Sequence, residues 1–163
     1  MFKVGIITAS DKGSRGERED KSGELIKEIM TANGYEVIEW KILPDEREKI
    51  SKELINMCDN QKLDLILTTG GTGFSPRDWT PEATLDVIDR QVPGIPEAMR
   101  YYSLQITPKA MLSRSVTGIR GETLIINLPG SPKAVKENLE YVLPALKHGL
   151  EILKGIAGEC AKG

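Results

Sequence analysis

Asp45 and Asp78 are the residues whose type and setting best suit them for chemistry, and a glycine cluster lies between them. From Thr68 to Thr84 the chain reads TTGGTGFSPRDWTPEAT: an apolar run ends on two threonines, three glycines follow within four positions, and an Arg-Asp pair leads into Thr80-Pro81. Glycine serves where backbone must bend sharply or approach something closely. Successive amides in such a loop form a concave nest for anions. The stretch is not a P-loop, because no Gly-Lys-Ser/Thr follows, nor a dinucleotide fingerprint, because Pro76 stands at the third glycine position. The residues alone leave phosphate binding and a structural turn both open. If phosphates bind, Asp45 and Asp78 at one rim would hold a Mg²⁺ bridging them.

Each candidate also has a plainer explanation. Asp45-x-x-Glu48 has the spacing of a helix capping box, and Asp78 suits a turn. Asn127-Leu128-Pro129-Gly130-Ser131-Pro132 forms a second strand-to-helix junction, whose free amides favour an anion but whose Ser131 is also an ordinary N-cap. Two such junctions in one sheet point to a large, multiply anionic ligand. Asp11 and Asp20 stand near the first strand's end, with Asp20 read as a helix cap. Lys109, Arg114 and Arg120 are cations that either meet phosphates or lie on a solvated surface. His148 is read as a helix-end or surface histidine, Trp40 as packing, and Trp79 as bordering a ligand or pinning its loop.

The elements that must position these residues are an alternation of short apolar runs with amphipathic segments, the pattern of an α/β domain with a mainly parallel sheet. Strands are expected at Lys3–Thr8, Glu36–Leu43, Leu63–Thr69 and Thr123–Leu128. The unbroken runs Leu65-Ile66-Leu67 and Leu124-Ile125-Ile126 suit strands covered on both faces. Helices are expected after Asp20, closing at Asn33-Gly34; after Asp45; from a Thr80 cap with Pro81 at the first position; and from Ser131-Pro132. Pro144 is expected to kink that last helix or start a new one. Between Gly94 and Gly121 a helix after Pro96 and a β excursion over Leu112–Ile119 are expected.

Composition limits the function classes. With 39% hydrophobic and 28% charged residues the chain has the make-up of an ordinary water-soluble domain, and a net charge of −2 gives no basic surface for nucleic acid or anionic membrane. No apolar run reaches the roughly 18 residues that a membrane span needs. MFKVGIITAS reads as a first strand rather than a signal peptide. The two cysteines, Cys58 in a helix and Cys160 in the tail, form no disulfide framework, which points to a reducing cytoplasm. Residues 157–163 carry no pattern and are expected to be mobile.

TTGGTGFSPRDWTPEAT and LPGSPKAV, together with ITASDKGSRG, LPDE and ITPKAMLSRSVTGIRGETLIINLPG, resemble the molybdopterin-binding family of molybdenum cofactor biosynthesis. The branch it most resembles is the MogA-type adenylyltransferase, related to the G domain of gephyrin, and the resemblance spans about Lys3 to Gly155. It implies a three-layer α/β/α domain over residues 1–163, working as a cytoplasmic homotrimer. It also implies Mg²⁺-dependent transfer of AMP from ATP to the terminal phosphate of molybdopterin, with hand-over to a molybdenum insertase. Asp45 and Asp78 match the family's essential aspartates and would hold the metal. Gly70, Gly71, Thr72 and Gly73 match its phosphate loop. Ser10 with Asp11, Ser103 and Asn127 match substrate-binding positions, and Ser113, Arg114, Pro129, Gly130 and Ser131 match further binding loops. Trp79 is bulkier than the small aliphatic residue expected after the aspartate. MoaB-type relatives share GGTG and the proline-glycine loop, so a non-catalytic molybdopterin binder is the alternative, with a nucleotide hydrolase more distant.

Overall fold

The structure, a computed structural model, describes residues 1–156, so Cys160 and the expectation of a mobile tail lie outside the described residues. Strands β1 (Lys3–Ala9), β2 (Glu36–Leu43), β3 (Leu65–Thr69), β4 (Arg90–Gln91), β5 (Thr117–Arg120) and β6 (Thr123–Leu128) form one sheet in the order β2-β1-β3-β6-β5-β4. β2, β1, β3 and β6 run parallel; β5 pairs antiparallel with β6, and the short edge strand β4 pairs antiparallel with β5. The helices are α1 (Asp11–Ser14), α2 (Lys21–Ala32), α3 (Arg47–Ile55), α4 (Thr80–Leu85), α5 (Gly94–Leu104) and α6 (Pro132–Leu153). A π-helical turn, Asn56–Asn60, prolongs α3, and a 3₁₀ segment covers Pro108–Leu112.

The unbroken apolar runs arise because each strand feeds two cores. Leu65 and Leu67 of β3, with Leu124, Ile126 and Leu128 of β6, face Ile26, Met30, Met99, Val135 and Leu139 from α2, α5 and α6. Ile66, Ile125 and Ile7 point the other way, onto Ile50, Leu54, Met57 and Ala83 from α3, its π turn and α4. The result is the expected three-layer α/β/α arrangement. Burial pushes the Cys58 thiol up to about 11. Cys58 should therefore resist alkylation by iodoacetamide at pH 8 until denaturant is added, which peptide mass spectrometry would show.

Several boundaries differ from expectation. β3 starts at Leu65, because Leu63 N–H donates to Met57 O and closes the preceding helical turn. Asp45 does not cap α3: Glu46 holds that position without a side-chain cap, and the Asp45 carboxylate is engaged elsewhere. α4 is capped at Trp79, again without a side-chain bond, and Thr80 lies inside the helix, fully buried. Asp20 and Ser131 do cap, accepting from Gly23 N–H and Ala134 N–H. Pro144 starts no new helix. It is exposed, as is Glu140, so the carbonyl left without its helical donor can turn to water. The expected β excursion is a 3₁₀ segment followed by the later strand β5. α5 begins at Gly94, before Pro96.

Candidate active site

The register brings the four parallel strands to a common rim. Ala9 pairs with Leu43, Thr8 with Thr69, and Thr69 with Leu128, so the loops after β1, β2, β3 and β6 emerge side by side. This carboxyl edge is where open α/β sheets bind ligands. Two glycine-bearing loops meet there. Thr69 Oγ1 donates to Pro129 O at 2.6 Å, and a Cβ placed on Gly130 would lie 3.5 Å from the Gly70 Cα, which sets backbone against backbone.

That double wall separates two cavities. The larger, about 970 Å³, takes Ser10, Asp11, Asp45, Gly70, Gly71, Asp78, Gly130 and Ser131 from the sequence candidates. The smaller, about 280 Å³, takes Thr72, Gly73, Ser103, Ser113, Pro129 and also Lys109. Consecutive residues of GGTG thus serve opposite sides of one wall. Asn127 and Arg114 line neither. Asn127 is fully buried, with Nδ2 donating to Thr68 Oγ1 and Thr84 Oγ1 and Oδ1 accepting from Val116 N–H; it holds the floor together. Arg120 is tied to Asp59 at 2.8 Å and to Val87 O, away from the cavities.

Inside the larger cavity Asp11 and Asp45 lock together reciprocally. Asp11 N–H donates to Asp45 Oδ2 at 3.0 Å, and Asp45 N–H donates to Asp11 Oδ1 at 2.9 Å. The Arg77 guanidinium crosses to Asp11 with two bonds, 3.0 and 2.9 Å, from a loop 66 residues away. Those bonds, chiefly, hold the Asp11 carboxyl below the usual carboxylate range. Asp45 is shifted the opposite way: burial is the main cause, the charges of Asp11 and Asp78 add to it, and the Asp11 amide and Arg77 oppose it. Asp78 Oδ2 accepts from Ser75 N–H at 3.0 Å while Asp78 N–H donates to Ser75 O, which closes the loop on itself.

The two aspartates bracket the glycine loop. Asp45 Oδ1 lies 3.3 Å from where a Cβ on Gly71 would stand, and Asp78 Oδ2 lies 3.1 Å from one on Gly73. The Thr80 hydroxyl, buried and without a hydrogen-bond partner among the described residues, presses on the same face of Gly71. No group of three or more His, Cys, Asp or Glu side chains able to hold a metal occurs among the described residues. The donor set nevertheless fits Mg²⁺, which commonly takes one or two carboxylates and completes its shell with water and phosphate oxygens. Asp45 Oδ1 and Asp78 Oδ1 accept no hydrogen bond from a described residue, which leaves one oxygen of each available.

A family model described as "Probable molybdopterin binding domain" matches residues 5–148, a stretch that contains every residue lining both cavities. The chain belongs to the molybdopterin-binding domain family. It is 46% identical over 154 residues to the molybdopterin adenylyltransferase of Helicobacter pylori (strain J99), covering 93% of this chain and 88% of that protein. It is also 46% identical to gephyrin of Dictyostelium discoideum, over 92% of this chain and 22% of gephyrin. Among solved structures, the molybdopterin biosynthesis enzyme MoaB of Thermus thermophilus superposes with a TM-score of 0.90 at 54% identity, covering 95% of this chain and 98% of that one.

In this molybdopterin-binding domain some cavity residues carried no clear sequence signal. Lys12, Arg18, Lys21 and Arg77 line the larger cavity, as do Thr8, Asp20 and Ser75. Arg77 was the most accessible of them to sequence reasoning, since it directly precedes Asp78 in a loop at the strand's carboxyl edge. Asp20 proves to do more than cap: its Oδ2 accepts from Thr8 Oγ1 at 2.6 Å and from Trp40 Nε1 at 2.9 Å. Trp79 pins its loop through Nε1 to Pro76 O and lies under the Arg47 guanidinium, 5.8 Å from its ring centre.

Proposed function

We propose that the chain, as one molybdopterin-binding domain over residues 1–163, is a molybdopterin adenylyltransferase. An oxygen of molybdopterin's terminal phosphate forms a bond to the α-phosphorus of ATP. The bond from that phosphorus to the bridging oxygen breaks, and pyrophosphate leaves with the electron pair. The observation that carries this reading is the pair Asp45 and Asp78 on either side of Gly71–Gly73, facing a polar cavity of about 970 Å³.

The substrate supplies its own nucleophile, so the protein's task is to position phosphates and meet developing charge. Gly70 and Gly71 bring backbone close to the phosphates. Lys12, Arg18 and Lys21 offer charge around them, and Asp45 and Asp78 are the residues that would hold Mg²⁺. Mg²⁺ supplies positive charge to the phosphate oxygens when bound. The smaller cavity, with Thr72, Ser103, Ser113 and Pro129, receives the less polar part of a substrate. That no histidine or reactive thiol lines either cavity is no obstacle to this chemistry.

A homotrimer, a cytoplasmic place of action and delivery of the product to a molybdenum insertase belong to the same reading. Cys58, a buried free thiol, agrees with a reducing compartment. Light scattering that gives a monomer would remove the trimer. The deciding experiment is pyrophosphate release by the purified protein with ATP, Mg²⁺ and molybdopterin, expected only when all are present. Tight molybdopterin binding without release would make the chain a carrier, and ATP breakdown without molybdopterin would make it a hydrolase.

A further inference from the structure

We infer that Arg114 is a positioning residue for Asp78 and not a contact to substrate. Its neighbours Ser113 and Ser115 line the smaller cavity, yet its own side chain lines neither cavity. It turns instead into the loop that carries Asp78. Nε donates to Gly73 O at 2.8 Å, Nη2 to Asp78 O at 2.7 Å, and Nη1 to Glu82 Oε2 at 2.7 Å, while Arg114 N–H donates to Thr72 O at 2.9 Å.

A guanidinium is a rigid planar fork, so acceptors bonded to it are held at fixed separations. Here the two carbonyls that begin and end the Gly73–Asp78 turn are tied to one such group. The Ser75–Asp78 bonds close the turn from within, and Arg114 anchors both its ends. Asp78 therefore keeps its place against Gly73 through Arg114. Arg114 in turn is carried by a segment whose carbonyls, Ser113 O and Ser115 O, accept from Arg100 Nη1 at 3.3 and 2.9 Å. One arginine thus fastens the wall of the smaller cavity to the carboxylate of the larger.

Lysine keeps the charge but offers its donors from a single point and cannot reproduce the three-way fork. The rate test rests on the adenylyl-transfer reading. Arg114→Lys should lower kcat for molybdopterin-dependent pyrophosphate release by about 100-fold, the scale of effect expected from a carboxylate displaced by about 1 Å, with KM for ATP moving less than about threefold. In an Asp78→Asn background the same substitution should cost less than about threefold, because the group it positions is already lost. Glu82→Gln, which leaves the Gly73 and Asp78 contacts in place, should keep kcat within about threefold of the parent.

Full additivity of Arg114→Lys and Asp78→Asn would overturn the inference. So would a rise of about tenfold in KM or in the ATP dissociation constant at unchanged kcat, which would make Arg114 a substrate contact. Absence of pyrophosphate release by the parent would defeat the adenylyl-transfer reading instead, and the clamp is then judged by amide hydrogen exchange. Arg114→Lys should speed exchange across residues 73–79 and not within β3, and unchanged exchange at 73–79 would show that Arg114 holds nothing there.

Discussion

Asp45→Asn should give a protein that melts higher than the parent at pH 7 and releases pyrophosphate about 100- to 1,000-fold more slowly. The two effects share one cause. Asp45 sits half-buried against two other carboxylates, and burial with that repulsion raises its pKa. An acid whose pKa is raised on folding binds its proton more tightly in the folded state, so its ionised form destabilises the fold. That penalty is fully present above the raised folded pKa. It shrinks as pH falls through that value and vanishes below the ordinary carboxylate pKa, where folded and unfolded chains are both protonated. Asparagine never ionises and can still accept the Asp11 amide bond. The variant should therefore melt higher than the parent at pH 7, and the two should converge once pH falls below the ordinary carboxylate pKa. A variant that melts no higher at pH 7 would mean that Asp45 is not strained in the resting protein.

Asp78→Asn makes the contrast. Asp78 is partly buried, and an asparagine there can still accept from Ser75 N–H, so stability should change little while the rate falls as far as for Asp45. Equal loss of rate, with a gain in stability for one variant and little change for the other, is the expected signature of two carboxylates that share a task but differ in their contacts. In the metal-free protein Asp45, whose pKa is raised chiefly by burial, should lose its charge on acidification before an ordinary carboxylate does.

Much of this arrangement was legible in the residues. Runs such as Leu65-Ile66-Leu67 identify strands between two helical layers because each alternate side chain feeds a different core, and Ser131-Pro132 marks a helix start through purely local bonding. What could not be read depends on contacts distant in sequence. Asp45-x-x-Glu48 has the spacing of a cap, but the Asp45 carboxylate is claimed by an amide 34 residues earlier, and spacing does not reveal a competing donor. Thr80 before Pro81 likewise reads as a cap, whereas tertiary packing draws it into the helix and leaves its hydroxyl against Gly71, without a hydrogen-bond partner among the described residues. Asn127 stands beside the proline-glycine loop in sequence, yet buried partners on β3, α4 and the chain before β5 turn it into framework. The division of one glycine loop between two cavities is the same kind of fact. It is set by where β6 and the segment at Ser113 lie, neither of which the loop's own letters specify.

Gly70→Ala should unfold the site and much of the domain's margin with it, and the reason is visible at one atom pair. Gly70 has φ of +89°, a region that costs an L-residue on the order of 1–2 kcal/mol, and a Cβ there would stand 2.5 Å from Ala9 O. The obstructing atom is backbone of the interior strand β1, so relief requires moving β1 or the loop, and the loop is held by Gly130 on its other side. A destabilisation of about 2–4 kcal/mol is expected, lowering Tm by roughly 4–16 °C, with pyrophosphate release lost even where the protein remains folded. Gly149→Ala is the matched control. Gly149 lies within α6 with no described residue near its added Cβ, so the same chemical change should stabilise by up to about 1 kcal/mol through helix propensity. If Gly70→Ala melted and turned over like the parent, the loop would have slack. Close approach of its amides to phosphate would then no longer explain why glycine stands there.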